Sequence, residues 1–275
     1  MPLQIASLNS GSNANCYYIG NGKEAILVDA GLSCRETERR MAKLGLEMGL
    51  VKALFVSHEH SDHISGVTGL ARKYRFPVYI TEATLQCARL PLEVSQTFHF
   101  RHASPVKIGD LEILPFKKSH DAADPHSFLV SGGGVNVGVM TDIGYACKKV
   151  LKYFSLCHAV FLEANYCEDM LENGNYPYHL KQRIRSDEGH LSNAQALELF
   201  QHYRSPELQL LLLSHLSKNN NKPELVERLF APHAGKTKIV VASRYAASEL
   251  FDVKPFGGMR LKNRKGGDER QLALF

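Results

Sequence analysis

At 275 residues, with 44% hydrophobic and 22% charged side chains, the chain carries enough apolar material to bury a real core, which excludes a disordered or fibrous protein. Its longest apolar stretch, Leu208 to Leu213, is broken by Gln209 and falls far short of the ~20 residues of a membrane helix. The start Met1-Pro2-Leu3-Gln4 lacks the basic-then-apolar order of a secretion signal, so a cytoplasmic protein without a membrane partner is expected.

The net charge of +5 is unevenly placed: Arg260, Lys262, Arg264, Lys265 and Arg270 oppose only Asp268 and Glu269 at the C-terminus. Such an end reads first as a solvated tail and second as an electrostatic contact to phosphates. None of the six cysteines forms a C-x-x-C pair, which leaves free thiols in a reducing compartment as the simplest account.

In chain order, Leu3–Leu8, Cys16–Ile19 and Ala25–Val28 read as strands, with Asn21-Gly22 as a hairpin signal between the last two. Ser33-x-x-Glu36 predicts a capping box opening a helix to about Leu44, stopped by Gly45. Ala53–Val56 is a strand, after which Ile64, Val67, Leu70 and Ala71 recur at helical spacing. The middle is predicted as short strands at Val78–Ile80, Phe98–Phe100, Leu111–Phe116, Ser127–Val130 and Val135–Met140, with Gly132-Gly133-Gly134 turning the last pair. Ser192-x-x-Gln195 is a second capping box before Leu197, Leu199 and Phe200; Leu210–Leu213 and Ile239–Val241 are strands, and Pro223 starts a helix. Many short strands with helices at both ends of the chain predict two sheets packed face to face with helices outside. One domain over residues 1–259 and a basic tail over 260–275 are expected.

The decisive segment is Ala53-Leu-Phe-Val-Ser57-His58-Glu59-His60-Ser61-Asp62-His63. Residues two apart on extended backbone point the same way, so His58 and His60 converge on one point. A turn into the following helix lets Asp62 and His63 face a second. Three histidines and an aspartate within six residues are far denser than an ordinary polar turn, and imidazole with carboxylate suits zinc, manganese or iron. Apolar strands also end close before His120, Asp142 and His215, as one before His58 does. Strand ends sharing one edge are where layered folds build sites. For each of these three a turn or a hydrogen-bonded surface role is the alternative.

The ordered motifs Asp29-Ala-Gly, His58-x-His60-x-Asp62-His63, Ser119-His120-Asp121, Thr141-Asp142-Ile-Gly and Leu213-Ser-His215 resemble those of the metallo-β-lactamase superfamily across nearly the whole chain. Their uninterrupted spacing leaves no room for the β-CASP insertion of RNase J-type nucleases. The resemblance implies a four-layer αββα sandwich of two mixed sheets. It also implies two divalent transition-metal ions: one on His58, His60 and His120, the other on Asp62, His63 and His215, with Asp142 bridging. Asp29 would orient a ligand histidine or else only close a turn. Ser10-Gly-Ser-Asn-Ala-Asn15-Cys16, Glu163-Ala-Asn165, Gly189-His190-Leu-Ser-Asn193 and Ser214-His215-Leu-Ser-Lys218-Asn219 are similar to the YycJ/WalJ group, which implies a 5′→3′ exonuclease on double-stranded DNA. A histidine shortly before a helix, and a last ligand histidine in serine context, also resemble RNase Z. His126, in Asp124-Pro-His126, is not required by the general pattern and is expected to pack rather than ligate.

Two ions ~3.5–4 Å apart can hold a hydroxide that attacks phosphorus, and with the substrate class that the resemblance implies, the expected activity is metal-dependent phosphodiester hydrolysis. Nucleic acid is the expected substrate, DNA before RNA, and no obligate protein partner is expected. Asp62 is the candidate acceptor of the nucleophile's proton. His190, ahead of a capped helix, is the candidate acid for the leaving oxygen, its alternative being mere packing beside the cap. Glu163 orients His190 or is an ordinary strand-end carboxylate. The Ser10–Asn15 loop offers backbone N–H groups to a phosphate or is a plain turn; Lys218 and Asn219 contact the substrate backbone or form a solvated loop. The rival readings are a small-molecule hydrolase of cyclic phosphodiester, thioester or lactam, and a di-iron redox protein, for which no second cofactor motif is present.

Overall fold

Apolar runs without alternation demand strands buried on both faces. Along Leu210–Leu213 they are: Leu210 and Leu212 point into one apolar cluster, Leu211 and Leu213 into another. Residues 2–255 are described by a computed structural model, and the expected basic tail over 260–275 lies outside them. Among the described residues no helix is long and apolar enough to cross a membrane.

The first sheet is built from β1 (Leu3–Asn9), β2 (Cys16–Gly20), β3 (Ala25–Val28), β4 (Val51–Phe55), β5 (Val78–Tyr79) and β6 (Thr97–Phe98). With it come α1 (Cys34–Lys43), α2 (Ser61–Ile64), α3 (Val67–Tyr74) and α4 (Glu82–Ala88). The second sheet takes β7 (Val106–Ile108), β8 (Leu111–Lys117), β9 (His126–Gly132), β10 (Val135–Met140), β11 (Ala159–Glu163), β12 (Leu210–Ser214) and β13 (Lys238–Val241). Its helices are α5 (Lys148–Phe154), α6 (Glu168–Asn173), α7 (Tyr178–Arg185), α8 (Asn193–Tyr203) and α9 (Pro223–Phe230); β14 (Phe251–Val253) then returns to pair with β1.

The strand orders are β14-β1-β2-β3-β4-β5-β6 and β13-β12-β11-β10-β9-β8-β7. Inward residues of both sheets, among them Tyr17, Val28, Phe55, Phe128, Val137, Phe161 and Leu212, share one core cluster. The first sheet's outer face packs on Met41, Val67 and Leu70; the second's packs on Phe154, Phe200 and Phe230. That is the expected αββα layering. β3–β4 and β10–β11–β12 are parallel, and β1 and β8 run with them through antiparallel neighbours. Asn9, Val28, Phe55, Lys117, Met140, Glu163 and Ser214 therefore all end at one edge.

Several sequence expectations change in detail. Ser33 caps α1 by accepting from the Glu36 N–H, but the Glu36 carboxylate turns to Arg39 and Arg40, so only half the capping box forms. Ser192 makes the full box with Gln195. The helical run from Ile64 to Ala71 breaks at Gly66, whose N–H donates to Ala30 O, and Phe98–Phe100 keeps strand pairing only through Phe98.

Candidate metal centre

The chain leaves three strands through left-handed backbone. Asp29, Asp142 and His215 have φ of 60°, 55° and 57°, a conformation that L-residues other than glycine adopt at a cost. Each sharp turn aims its side chain into the space between the sheet ends. The loop that follows β4 is fixed as tightly. The Asp62 carbonyl accepts from Asn15 N (2.7 Å) and the His63 carbonyl from Ala30 N (2.8 Å). A Cβ at Gly31 would overlap the Asp62 carbonyl, so this close approach requires glycine there.

Two groups of electron-pair donors result. In the first, His60 Nδ1 lies 3.1 Å from His58 Nε2 and 3.3 Å from His120 Nε2. In the second, Asp62 Oδ2 lies 3.4 Å from both His63 Nε2 and His215 Nε2. Asp142 sits between them, Oδ2 at 3.2 Å from His63 Nε2 and Oδ1 at 3.7 Å from His120 Nε2.

The other ring nitrogens explain why these ones face inward. His63 Nδ1 donates to Asp29 Oδ2 (2.7 Å), His215 Nδ1 to Glu163 Oε1 (3.0 Å) and His120 Nδ1 to Gly189 O (3.0 Å). His58 Nδ1 donates to Ser57 Oγ (2.8 Å), which itself donates to Asp29 Oδ2 (2.8 Å). With the proton held on Nδ1, each Nε2 presents a lone pair. Asp142 Oδ2 is buried without a hydrogen-bond partner and confronts the His63 lone pair.

Charge makes the same demand. The carboxylates of Asp29, Asp142 and Glu163 are buried and Asp62 is mostly so, while the buried cation beside them is Lys118. Burial holds His58 well below its ordinary pKa and pushes His120 down to about 4. At His63 and His215 burial acts in the same sense, but Asp142, Asp62 and the carboxylate beneath each ring outweigh it. His63 is raised well above the ordinary value and His215 to about 10, so without an ion these rings draw a proton onto Nε2, the position a divalent ion would take. Burial opposes ionisation of Glu163, yet His190 and His215 hold it down at about 2. A surplus of buried negative charge with inward lone pairs fits divalent cations, and both triads form compact donor groups.

The remaining sequence candidates fall at different distances from this cluster. Glu163 Oε1 also accepts from His190 Nδ1 (2.8 Å), so one carboxylate positions two histidines. The half-buried His190 ring lies 5.2 Å from that of His120 and 5.3 Å from that of His215. Ser10 and Asn15 are buried and point inward. Ser10 Oγ accepts from His215 N (2.8 Å), and Asn15 Nδ2 donates to Asp62 Oδ2 (2.9 Å). The N–H groups of Ser10, Gly11, Ala14 and Asn15 are taken by Ser243 O, Asn15 Oδ1, Gly11 O and Asp62 O. The expectation that this loop's amides cradle a phosphate is therefore corrected for these four. Lys218 and Asn219 are exposed, with Asn219 Nδ2 donating to Tyr176 Oη. His126 is packed edge-on to Phe100, outside both triads.

Sequence reasoning missed Ser57, Lys118 and Arg40. Lys118 Nζ donates to Thr141 O (2.7 Å), bracing the turn at Asp142. Arg40 donates to Leu8 O and Asn9 Oδ1, bracing the end of β1. Nothing in their local sequence marks them; only the lysine's position two residues before His120 hinted at proximity.

A family model for the beta-lactamase superfamily domain matches residues 24–215. The chain belongs to the beta-lactamase superfamily. It is 36% identical to exodeoxyribonuclease YycJ of Bacillus anthracis, over 94% of this chain and 92% of that one. It is 32% identical to exodeoxyribonuclease WalJ of Streptococcus pneumoniae, over 90% and 93%. Among solved structures, the metallo-beta-lactamase fold protein YhfI of Bacillus subtilis aligns with a TM-score of 0.72 at 16% identity, covering 92% of this chain and all of that one. The last likeness establishes the fold. The family, with the two relatives, makes this chain a hydrolase, and its cluster of His and Asp suits divalent-metal binding.

Proposed function

We propose that the chain is a phosphodiesterase that degrades DNA as an exonuclease. The observation that carries this reading is His190. It is a partly exposed imidazole against both triads, with Nδ1 tied to Glu163 and, among the described residues, no partner at Nε2. A proton delivered there serves a departing sugar oxygen, which is a poor leaving group; a thioester, whose thiolate departs without a proton, requires it less. The names of the two relatives supply the nucleic acid.

His58, His60 and His120 would hold one divalent ion, Asp62, His63 and His215 the other, with Asp142 shared. Such ions, zinc or manganese first and iron also compatible with the donors, supply Lewis acidity toward phosphoryl oxygens and make a water molecule acidic near neutral pH. Asp62, held ionised despite its burial by His63 and His215, accepts a hydrogen bond and the proton from the attacking water. As the bond from phosphorus to the sugar oxygen breaks, His190 gives that oxygen a proton from Nε2, and Glu163 stabilises the charge the ring carries. Asp29, Ser57 and Glu163 are positioning residues that act through the rings they hold. Ser10 and Asn15 position His215 and Asp62.

The test compares metal-reconstituted protein on end-labelled duplex DNA, duplex RNA, bis-p-nitrophenyl phosphate and a thioester. DNA is expected to be the best substrate. His190→Ala should cost ~10²–10⁴-fold on DNA and far less on the p-nitrophenyl ester, whose leaving group departs without a proton, while metal content stays constant. Loss of metal, or equal losses on both substrates, would remove the acid role from His190; preference for the thioester would overturn the nuclease reading.

A further inference from the structure

Beside the metal centre lies a cavity of about 350 Å³, at the small end of ligand sites and of a size for one nucleotide rather than a duplex. Ser10, Leu216, Lys218 and Arg244 line it. It adjoins the centre directly, because Ser10 Oγ accepts from the His215 N–H and Leu216 is the next residue.

Arg244 is what this cavity is built around. The loop that carries it is pinned at three consecutive carbonyls. Ser243 O accepts from Ser10 N (3.1 Å), Arg244 O from Asn13 Nδ2 (3.3 Å) and Tyr245 O from the buried Arg40 Nη2 (3.1 Å). Gly11, at φ 147°, brings the opposite wall so close that a Cβ would stand about 3.0 Å from Arg244 Nη2. The guanidinium itself donates to Leu216 O, and among the described residues no carboxylate pairs with it. Half-burial lowers its pKa with no acid to restore it. A desolvated, rigidly presented guanidinium with donors to spare calls for an anion. Lys218 adds a second positive charge, while the exposed Glu227 is the acid of the lining.

We propose that this cavity receives the terminal phosphomonoester of a DNA strand, so that Arg244 and Lys218 select strand ends for the centre next door. This rests on the nuclease reading. A terminal phosphate has three free oxygens and close to two charges, whereas an internal phosphodiester has two oxygens and one charge. The greater charge of the former draws more from the paired cations Arg244 and Lys218.

The experiment measures cleavage of internally labelled duplexes carrying a 5′-phosphate, a 3′-phosphate or hydroxyls at both ends, by wild type, Arg244→Ala and Arg244→Lys. Wild type should prefer one phosphorylated end, and the arm preferred reads the polarity. Arg244→Ala should collapse that preference by roughly 10–100-fold, the worth of a charge-assisted pair, and Arg244→Lys should keep only part of it. Melting temperature and metal content report whether each variant is intact. Should Arg244→Ala fail to fold, the lysine variant alone decides. Wild type that cuts all three duplexes equally, or variants that slow all three in proportion, would overturn the end-selecting pocket while leaving the nuclease reading standing. Wild type that cuts none of them while hydrolysing small esters would instead overturn the nuclease reading.

Discussion

The two halves of the molecule reach the same edge by different routes. The first sheet delivers His58, His60, Asp62 and His63 from a single loop after β4, with the Asp29 carboxylate at the end of β3 beneath His63. The second delivers His120, Asp142 and His215 from three separate strand ends, with the Glu163 carboxylate at the end of β11 beneath His215 and His190. The contrast teaches that one half encodes its donors locally and the other through topology. It also assigns their buried carboxylates different scopes: Asp29 serves the two histidines of one loop, directly and through Ser57, while Glu163 couples a candidate ligand to the candidate acid.

The harshest way to probe that division is to remove what joins the halves. Asp142→Ala should lower hydrolysis of every substrate by more than the ~10–100-fold typical of groups that only orient ligands, and should lower metal stoichiometry by mass spectrometry of the native protein. A fully active variant with one ion would show that the halves do not share a dinuclear centre.

Next come the paired carboxylates. Asp29→Asn and Glu163→Gln should each weaken metal affinity by ~10–100-fold, read by competition with a chromogenic chelator. Asp29→Asn should slow DNA and p-nitrophenyl ester cleavage by a similar factor. Glu163→Gln should slow DNA cleavage more, because it also releases His190. Identical substrate profiles for the two variants would erase the proposed difference between the halves.

The smallest effect concerns the helix caps. Ser192→Ala should cost about 1 kcal/mol in chemical denaturation, since the full box is lost. Ser33→Ala should cost less, because Glu36 has already left its cap for Arg39 and Arg40.

The same contrast governs what could be read from the sequence. His58 to His63 were legible as a donor cluster because they lie within six adjacent residues, and the layering was legible because many short strands have helices at both ends of the chain. His120, Asp142 and His215 were legible only as strand ends in a family pattern. The cap at Ser33 was over-read, since the sequence shows that Glu36 is present but not which partner it takes. α7 escaped notice because none of its residues is fully buried and only Leu180 and Ile184 give it an apolar spacing. Lys118 and Arg40 act on backbone carbonyls distant in sequence, and Ser57 on the Asp29 carboxylate of another strand end; no local signal precedes such contacts. Of the Ser10–Asn15 amides, that of Ser10 turns to Ser243 and that of Asn15 to Asp62, contacts likewise made only by the folded chain.

The left-handed turns at Asp29, Asp142 and His215 set the proposed metal centre against the protein's own heat resistance. Glycine would occupy those φ values with less strain than aspartate or histidine, a difference on the order of 1 kcal/mol per position. Laboratory evolution rewarded for melting temperature alone, without an activity screen, would therefore drift first at these three positions. It would return a sturdier αββα scaffold stripped of its centre, which makes them the residues to hold fixed when the fold is engineered for stability.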